Sequence, residues 1–312
     1  MIPEIRKKQL EKQQYRLVGN HSAIKICLYC KKSIRGEDVC YKNTFFGIKS
    51  WRCVQMSPVL DACTLRCQWC WRDLKYTAPE FKGKPDKPAD IVDGCIEAQK
   101  EILQGFKGNP GTDRKRFDEA MNPLHFAISL TAEPTLYPKL PQLIDEIHSR
   151  GMTTFLVTNG TNPGMLKRLL KHKPTQLYVT LPAPDKETFM DACKPLAKNA
   201  WESIQKSLRL LEDFDRTVVR LTLAKEMNML NPAGYAEVLK DVGFKFVEPK
   251  AAMPIGYARH RMKYSQMPLH QDILEFSEKL AKLSGLKVID QKKESRVCLL
   301  AERDWPDRKL KF

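Results

Sequence analysis

The amino-acid sequence predicts an α/β protein built as an open, partial (β/α)6 barrel of TIM-like design, preceded by a basic, cysteine-containing N-terminal region. Three observations carry this. Short apolar or β-branched runs alternate with helical segments from about residue 91 onward, and such alternation means parallel strands covered by helices. About six strand–helix units fit into the 312 residues, too few for a closed eight-fold barrel beside an N-terminal region. Polar and turn-forming residues directly follow the strands, at the edge where parallel sheets gather their ligands.

The elements follow in order. Residues 1 to about 17 read as a polar, basic surface helix, and the stretch after it, up to 56, shows little helical periodicity. Residues 91–105 read as a helix, and 107–116 as a polar, glycine-containing connection. His125–Leu130 is a strand, and Leu140–Arg150 a helix closed by Gly151 just past its end. Strands are expected at Thr153–Val157, Leu177–Leu181, Thr217–Leu223 and Phe244–Val247. Helices are expected at Gly164–Lys171, Trp201–Leu211, Ala233–Val242 and Gln271–Leu283. The domain boundaries implied are 1–56 for the N-terminal region, 57–285 for the barrel and 286–312 for a C-terminal extension.

Composition narrows the class. Hydrophobic residues make up 42% and no apolar run reaches membrane-spanning length, so no membrane association is expected. The start of the chain lacks the apolar core of a secretion signal. Ten cysteines, several tightly clustered, suit reduced thiols and metal better than a disulfide framework, and the expected compartment is the cytoplasm. The net charge of +16 points to a polyanionic partner, since each phosphate neutralised by Lys or Arg releases counterions. Residues 1–56 hold 12 Lys/Arg against 4 Asp/Glu, half of the excess. Lys250, Arg259, Arg261 and Lys263 form a second basic stretch without an acid, with His260 inside it. Nucleic acid is the expected partner.

The chemistry is concentrated in Cys63-Thr-Leu-Arg-Cys67-Gln-Trp69-Cys70. Three thiols at C-x3-C-x2-C spacing wrap one face of an iron–sulfur cube, whose complete protein set is four cysteines. One iron is left open, and an open position is how a metal site performs chemistry. Half of a zinc site is the competing reading, but zinc pairs usually run C-x2-C or C-x4-C. Upstream, Cys27, Cys40 and Cys53 are separated by twelve residues each, and Cys30 makes a C-x2-C with Cys27. Such intervals bring separate chain passes to one point. Either all four close a structural zinc site, or Cys27, Cys40 and Cys53 hold a second cluster with one iron open; spacing by itself leans to zinc.

Cys63, Cys67 and Cys70, with Trp69 before the last, resemble the signature of the radical S-adenosylmethionine (radical SAM) superfamily. Thr131-Ala132-Glu133-Pro134 is similar to that superfamily's Gly-Gly-Glu-Pro stretch, with Thr131 and Ala132 in place of the glycines. The resemblance implies that this backbone and the Glu133 carboxylate receive the methionine ammonium, and that Asn159 and the turn from Thr180 to Ala183 contact ribose and adenine. Read as one block, residues 41–48, Ser50-Trp51-Arg52-Cys53 and the loop to Arg72 resemble the wyosine-forming radical SAM enzymes that act on tRNA. Gly256-Tyr257-Ala258-Arg259-His260 has the same look. The chain is similar to the short archaeal-type form without a flavodoxin-like domain, which implies a separate electron-donor protein; the expected state is a monomer.

The resemblance implies two [4Fe-4S] clusters, the second on Cys27, Cys40 and Cys53, which overrides the leaning to zinc. It also implies SAM, cleaved to a 5′-deoxyadenosyl radical that takes hydrogen from the N-methyl group of 1-methylguanosine-37 in the anticodon loop of tRNA-Phe. Pyruvate then supplies carbon atoms, with loss of carbon dioxide and ring closure to 4-demethylwyosine. Lys42 is the candidate for a Schiff base on pyruvate, against the plainer reading of a solvated lysine in a basic region. Arg259, Arg261, His260 and Lys263 are candidates for tRNA phosphates. Cys95, Cys193 and Cys298 read as small buried apolar residues. A radical SAM methyltransferase that does not use pyruvate, and a zinc-bearing RNA-binding protein, are the rival readings.

Overall fold

The computed structural model describes residues 2–312. The N-terminal segment begins with α1 (Glu4–Lys12), followed by the short strands β1 (Arg16–Val18) and β2 (Ser22–Ile24). α1 is shorter than expected, and it is anchored. Arg6 is buried and makes a two-pronged ion pair with Asp61, Nη2 to Oδ1 at 2.6 Å and Nε to Oδ2 at 3.1 Å. Two helices then appear where no periodicity was legible, α2 (Leu28–Ile34) and α3 (Tyr41–Phe46). At seven and six residues neither completes enough turns to print an amphipathic pattern.

The barrel strands and helices follow as β3 (Cys53–Ser57), α4 (Pro88–Gln104), α5 (Arg114–Ala120), β4 (His125–Ile128), α6 (Leu140–Ser149), β5 (Thr153–Thr158), α7 (Pro163–Leu169), β6 (Gln176–Thr180), α8 (Lys186–Cys193), α9 (Ala200–Arg209), β7 (Thr217–Leu223), α10 (Pro232–Lys240), β8 (Phe246–Ala251) and α11 (His270–Ser284). The chain ends in a hairpin, β9 (Lys287–Lys292) and β10 (Val297–Ala301). The ten-stranded sheet runs β1-β2-β3-β4-β5-β6-β7-β8-β10-β9. β3 to β8 are parallel throughout, so the sheet contains the six-strand open barrel the sequence predicts. Antiparallel strands flank it on both sides.

Several boundaries are corrected. α5 starts inside the expected connection, where Asp113 caps it by accepting from Arg116 N at 3.1 Å. α8 stands after the Pro182–Asp185 turn because Asp185 accepts from Thr188 N at 2.8 Å. β8 is displaced from the expected Phe244–Val247 and runs on through Glu248, Pro249 and Lys250. Proline argues against a strand flanked on both sides. Here the pairing of β8 with β10 registers at Val247 and Lys250, leaving Pro249 unpaired on that side.

Alternation along the strands sorts the side chains. Phe126, Leu156, Val179, Val219 and Val247 face the helices and form the main core. Phe155, Tyr178, Val218 and Phe246 face inward, where Phe45 and Phe46 of α3 pack against them. The barrel interior is thus filled by α3, which carries Cys40 at its N-cap and Lys42 in its first turn.

Candidate active site

The Cys63–Cys70 loop follows β3 and crosses the carboxyl-terminal mouth of the barrel. Its backbone is tied down on every side. Cys63 N donates to Ala78 O at 2.8 Å, Arg66 N to Cys193 O at 2.9 Å, Gln68 N to Ala192 O at 3.0 Å, and Glu133 N to Ala62 O at 2.9 Å. Arg261 donates to the carbonyls of Gln68, Cys70 and Arg72. With the peptide groups held outward, Cys63, Cys67 and Cys70 line a cavity of about 330 Å3, together with Arg72, Thr131, Ala132, Glu133, Asn159 and Thr222. Burial pushes the Cys63 thiol up to about 12, an effect the Arg72 guanidinium opposes. Such thiols bind metal by releasing their protons. Arg72 is buried and its Nη1 has no hydrogen-bond partner among the described residues, so a cation waits at the cavity wall. Three thiols, a rigid loop and this cation fit a [4Fe-4S] cluster bearing SAM.

Glu133 closes the floor. Its Oε1 accepts from Thr135 N at 3.1 Å and from the hydroxyls of Thr135 and Thr158, each at 2.6 Å, and Oε2 accepts from Asn159 N at 2.7 Å. Burial raises its pKa while these bonds lower it. The carboxylate therefore ties β4's following loop to the end of β5, and Oε2 keeps capacity for one more donor. Ala132 has φ of 57°, the left-handed conformation a glycine would adopt without strain. Asn159 donates to Thr64 Oγ1 at 3.0 Å and faces Cys63 Sγ at 3.8 Å. Thr180 does not line the cavity. It registers with Arg220, one inward position below Thr222, which does line the cavity.

Below this floor, Cys27 caps α2, Cys40 caps α3 and Cys53 opens β3. Three chain passes converge as the spacing requires, and burial raises each thiol; neighbouring thiols raise Cys27 and Cys53 further, whereas Lys42 and Lys250 pull Cys40 back down. Cys27 reaches about 11, with Cys40 as its strongest charged neighbour, and Cys53 rises further under Cys27 and Cys40. Cys30 is fully buried with its thiol 3.7 Å from the Trp51 carbonyl, among Ile26, Ile34, Leu103 and Phe117. Cys30 still lies near enough to Cys27, Cys53 and Cys40 for their charge to raise its thiol further.

Lys42 is not a solvated lysine. It is 6% exposed, and its Nζ stands 4.4 Å from the Tyr178 ring centroid and 5.4 Å from that of Phe155. Burial, then the Arg220 guanidinium, lowers its pKa, while Glu248, Cys40 and Cys53 raise it. Phe155 lies two residues below Val157, which lines the three-cysteine cavity; on a strand that is about 6.6 Å. The amine thus sits between the two cysteine sets. Arg220, Glu248 and Lys250 around it were not read from the sequence as a site. The signal was there: Arg220 is a charge at an inward position of an otherwise apolar strand.

The basic stretch divides. Lys250 belongs to β8 and donates inside the barrel to Ser295 O at 2.9 Å, and Arg261 is held by the cysteine loop, so neither is free for phosphate as expected. Arg259 and His260 line a groove of about 540 Å3 with Gln13, Lys25, Trp71 and Tyr257. Lys263 begins the adjoining turn. Trp71 and Ile255 belong to both this groove and the three-cysteine cavity. No described helix is long and apolar enough to cross a membrane.

An open six-strand parallel barrel with a pinned three-cysteine loop over a cavity at its carboxyl-terminal mouth defines a radical SAM enzyme, and residues 57–239 match the "Radical SAM superfamily". Residues 244–302 match "Wyosine base formation". The S-adenosyl-L-methionine-dependent tRNA 4-demethylwyosine synthase of Pyrococcus horikoshii is 47% identical over 298 residues, 94% of this chain and 87% of the relative. That of Methanocaldococcus jannaschii is 36% identical, covering 96% of each. This chain belongs to the tRNA 4-demethylwyosine synthase family. It is a SAM-dependent, tRNA-modifying enzyme of wyosine biosynthesis, and its superfamily brings one [4Fe-4S] cluster and SAM. A solved structure of TYW1 with a lysine-pyruvate adduct bound matches with a TM-score of 0.90 at 35% identity, covering 99% of this chain and 100% of that one. An archaeal TYW1 crystal structure matches at 0.80 and 33%, covering 99% of both.

Proposed function

We propose that the protein converts N1-methylguanosine-37 of tRNA-Phe, together with pyruvate, into the tricyclic base 4-demethylwyosine. The burial of Lys42 inside the barrel, between the Cys27/Cys40/Cys53 thiols and the SAM cavity, carries this reading. A methyltransferase needs no amine there. A buried primary amine suits attack on a keto carbon: nitrogen adds, the keto oxygen leaves as water, and a C=N bond joins Lys42 to pyruvate. The lysine-pyruvate adduct of the related TYW1 supports the assignment.

Cys63, Cys67 and Cys70 would hold the SAM-binding cluster, and Cys27, Cys40 and Cys53 a second [4Fe-4S] cluster beside Lys42. When bound, these groups and SAM supply the electron and the radical that removes hydrogen from the N-methyl group, and a Lewis-acidic iron beside pyruvate. The chain's residues do the rest. Glu133 Oε2 and the Thr131–Ala132 backbone receive the methionine ammonium, Arg72 its carboxylate, and Asn159 and Thr222 border the nucleoside. Arg259, His260 and Lys263, with Lys25 across the groove, hold anticodon-loop phosphates, and Trp71 offers a stacking face at the junction with the cavity. Fixing both reactants on one rigid barrel replaces collision by positioned attack. A separate protein delivers electrons to this cytoplasmic monomer.

The test is anaerobic, reconstituted protein with SAM, reductant, pyruvate and tRNA bearing 1-methylguanosine-37, followed by nucleoside mass analysis. Formation of 4-demethylwyosine only with pyruvate supports the proposal. A methylated nucleoside formed without pyruvate favours the methyltransferase reading.

A further inference from the structure

Inside the barrel, one level below the SAM cavity, the charges do not balance. Lys42, Arg220 and Lys250 face one carboxylate, Glu248, which is fully buried. Arg220 and Glu248 stand opposite each other on β7 and β8, joined by Nη2 to Oε1 at 2.7 Å. The same Nη2 donates to the Tyr41 hydroxyl at 2.6 Å, and Lys250 Nζ is directed to Ser295 O. Two atoms of the ion pair are left over: Arg220 Nε and Glu248 Oε2 are buried and have no partner among the described residues. An unpaired buried guanidinium N–H is costly, and a surplus of buried positive charge is stable only with an anion. Lys42 Nζ and the Arg220 guanidinium carbon both stand against the Tyr178 ring, 4.4 Å and 4.9 Å from its centroid, and the guanidinium charge is felt at the amine, whose pKa it lowers.

We propose that Arg220 is the carboxylate clamp of this site: it holds the carboxylate of a short 2-oxo acid whose keto carbon is bonded to Lys42, and so selects 2-oxo acids over uncharged carbonyl compounds. The inference rests on the Lys42 reading above. A carboxylate and its adjacent keto carbon need a cation and an amine side by side, and these two residues supply them. A guanidinium meets a carboxylate with directed, charge-assisted bonds. Glu248 keeps the guanidinium in place through Oε1, and Tyr41 and Tyr178 fix its plane.

The experiment is reductive trapping of the adduct with cyanoborohydride on the reconstituted protein. The Lys42 peptide is quantified by mass against the concentration of pyruvate or of pyruvamide, its uncharged analogue. Wild-type protein is expected to half-saturate with pyruvate at a concentration about 10- to 100-fold lower than with pyruvamide, the worth of a hydrogen bond to a charged group. Arg220→Gln alone leaves Glu248 buried and unpaired, so the deciding variant is the double Arg220→Gln/Glu248→Gln. It should lose the preference for pyruvate while trapping pyruvamide within about 2-fold of wild type. Arg220→Lys should restore part of the preference. Retention of the preference in the double variant overturns the clamp, and so does an equal loss for both compounds. Absence of any Lys42 adduct in wild-type protein overturns the Lys42 reading and the clamp with it.

Discussion

The Nζ of Lys42 stands 4.4 Å from the centroid of the Tyr178 ring, reached from α3 across the barrel interior to β6. The aromatic face flanks the amine, while burial and the Arg220 guanidinium lower its pKa, so a group that burial disfavours is held in one place. Burial of this kind is a stability cost kept for a purpose. Lys42→Met keeps the length and removes the desolvated amine. It should leave the fold intact and raise stability by about 1 kcal/mol or more, read as an increase in Tm, while forming no trapped pyruvate adduct. A large loss of stability would show that the amine is structural.

Ala132 carries a second cost. Its φ of 57° costs an L-residue about 1–2 kcal/mol, whereas glycine loses about 0.5–1 kcal/mol through the greater freedom of its unfolded chain. Strain wins, so Ala132→Gly should stabilise by about 0.5–1 kcal/mol. For a chain of this size that is a rise in Tm of about 1–3 °C. Ala132→Val should move Tm the other way, because a β-branched side chain tolerates this region least. SAM cleavage should persist in the glycine variant.

How far the sequence reached is visible in these residues. The three-cysteine loop was legible because its ligands are close in sequence, and the parallel strands because an apolar run between helices has few other meanings. The interior was not legible. Cys27, Cys40 and Cys53 converge only through α2, α3 and β3, each too short to print a period. Glu248 and Lys250 looked like loop residues because Pro249 disguised β8. Arg261 looked like a phosphate contact because charge alone does not tell a free guanidinium from one already bonded to three carbonyls. Thr180 falls one inward position short of the cavity, a difference that depends on strand register.

Arg259 and Arg261 should therefore separate. Among the described residues, Arg259 lines the groove and bonds only to its own turn, Gly256 O at 2.8 Å. Arg259→Glu should weaken tRNA binding and flatten its dependence on salt, with iron content and SAM cleavage unchanged. Arg261→Glu breaks the brace on the Cys63–Cys70 loop and should lower iron content on reconstitution and SAM cleavage even without tRNA. Equal behaviour of the two variants in the iron assay would contradict the assignment.

His125 gives the pH dependence. Its ring is fully buried at the foot of the barrel, with Nε2 accepting from Lys49 N at 3.1 Å and Nδ1 paired with Thr153 Oγ1 at 2.7 Å. Burial holds it down at about 3 against 6.5 in an unfolded chain. Below pH 6.5 the unfolded chain therefore binds a proton that the folded protein refuses. Stability is full above pH 6.5 and falls as the pH drops toward 3, by about 2 kcal/mol at pH 5 from this residue. Denaturant titrations of the wild type and of His125→Gln between pH 7 and 5 should differ in slope by that amount. Parallel curves would mean that His125 is protonated in the native state.

The two cysteine sets should fail differently. Cys67→Ala removes one of three thiolates from the loop over the SAM cavity, and two cannot hold a cube with its open iron correctly presented. It should abolish 5′-deoxyadenosine formation. Cys40→Ala leaves that loop untouched, since Cys40 caps α3 inside the barrel, so SAM cleavage should persist while no tricyclic base forms. Iron analysis separates the two further: each variant should lose about one cluster's worth of iron, and protein combining both should hold little. Electron paramagnetic resonance of reduced Cys67→Ala then isolates the inner site, where added pyruvate should shift the signal if an iron there accepts its oxygens. Zinc in place of iron at Cys27, Cys40 and Cys53, in protein that still makes product, would end the two-cluster assignment and leave Lys42 to hold pyruvate without a metal.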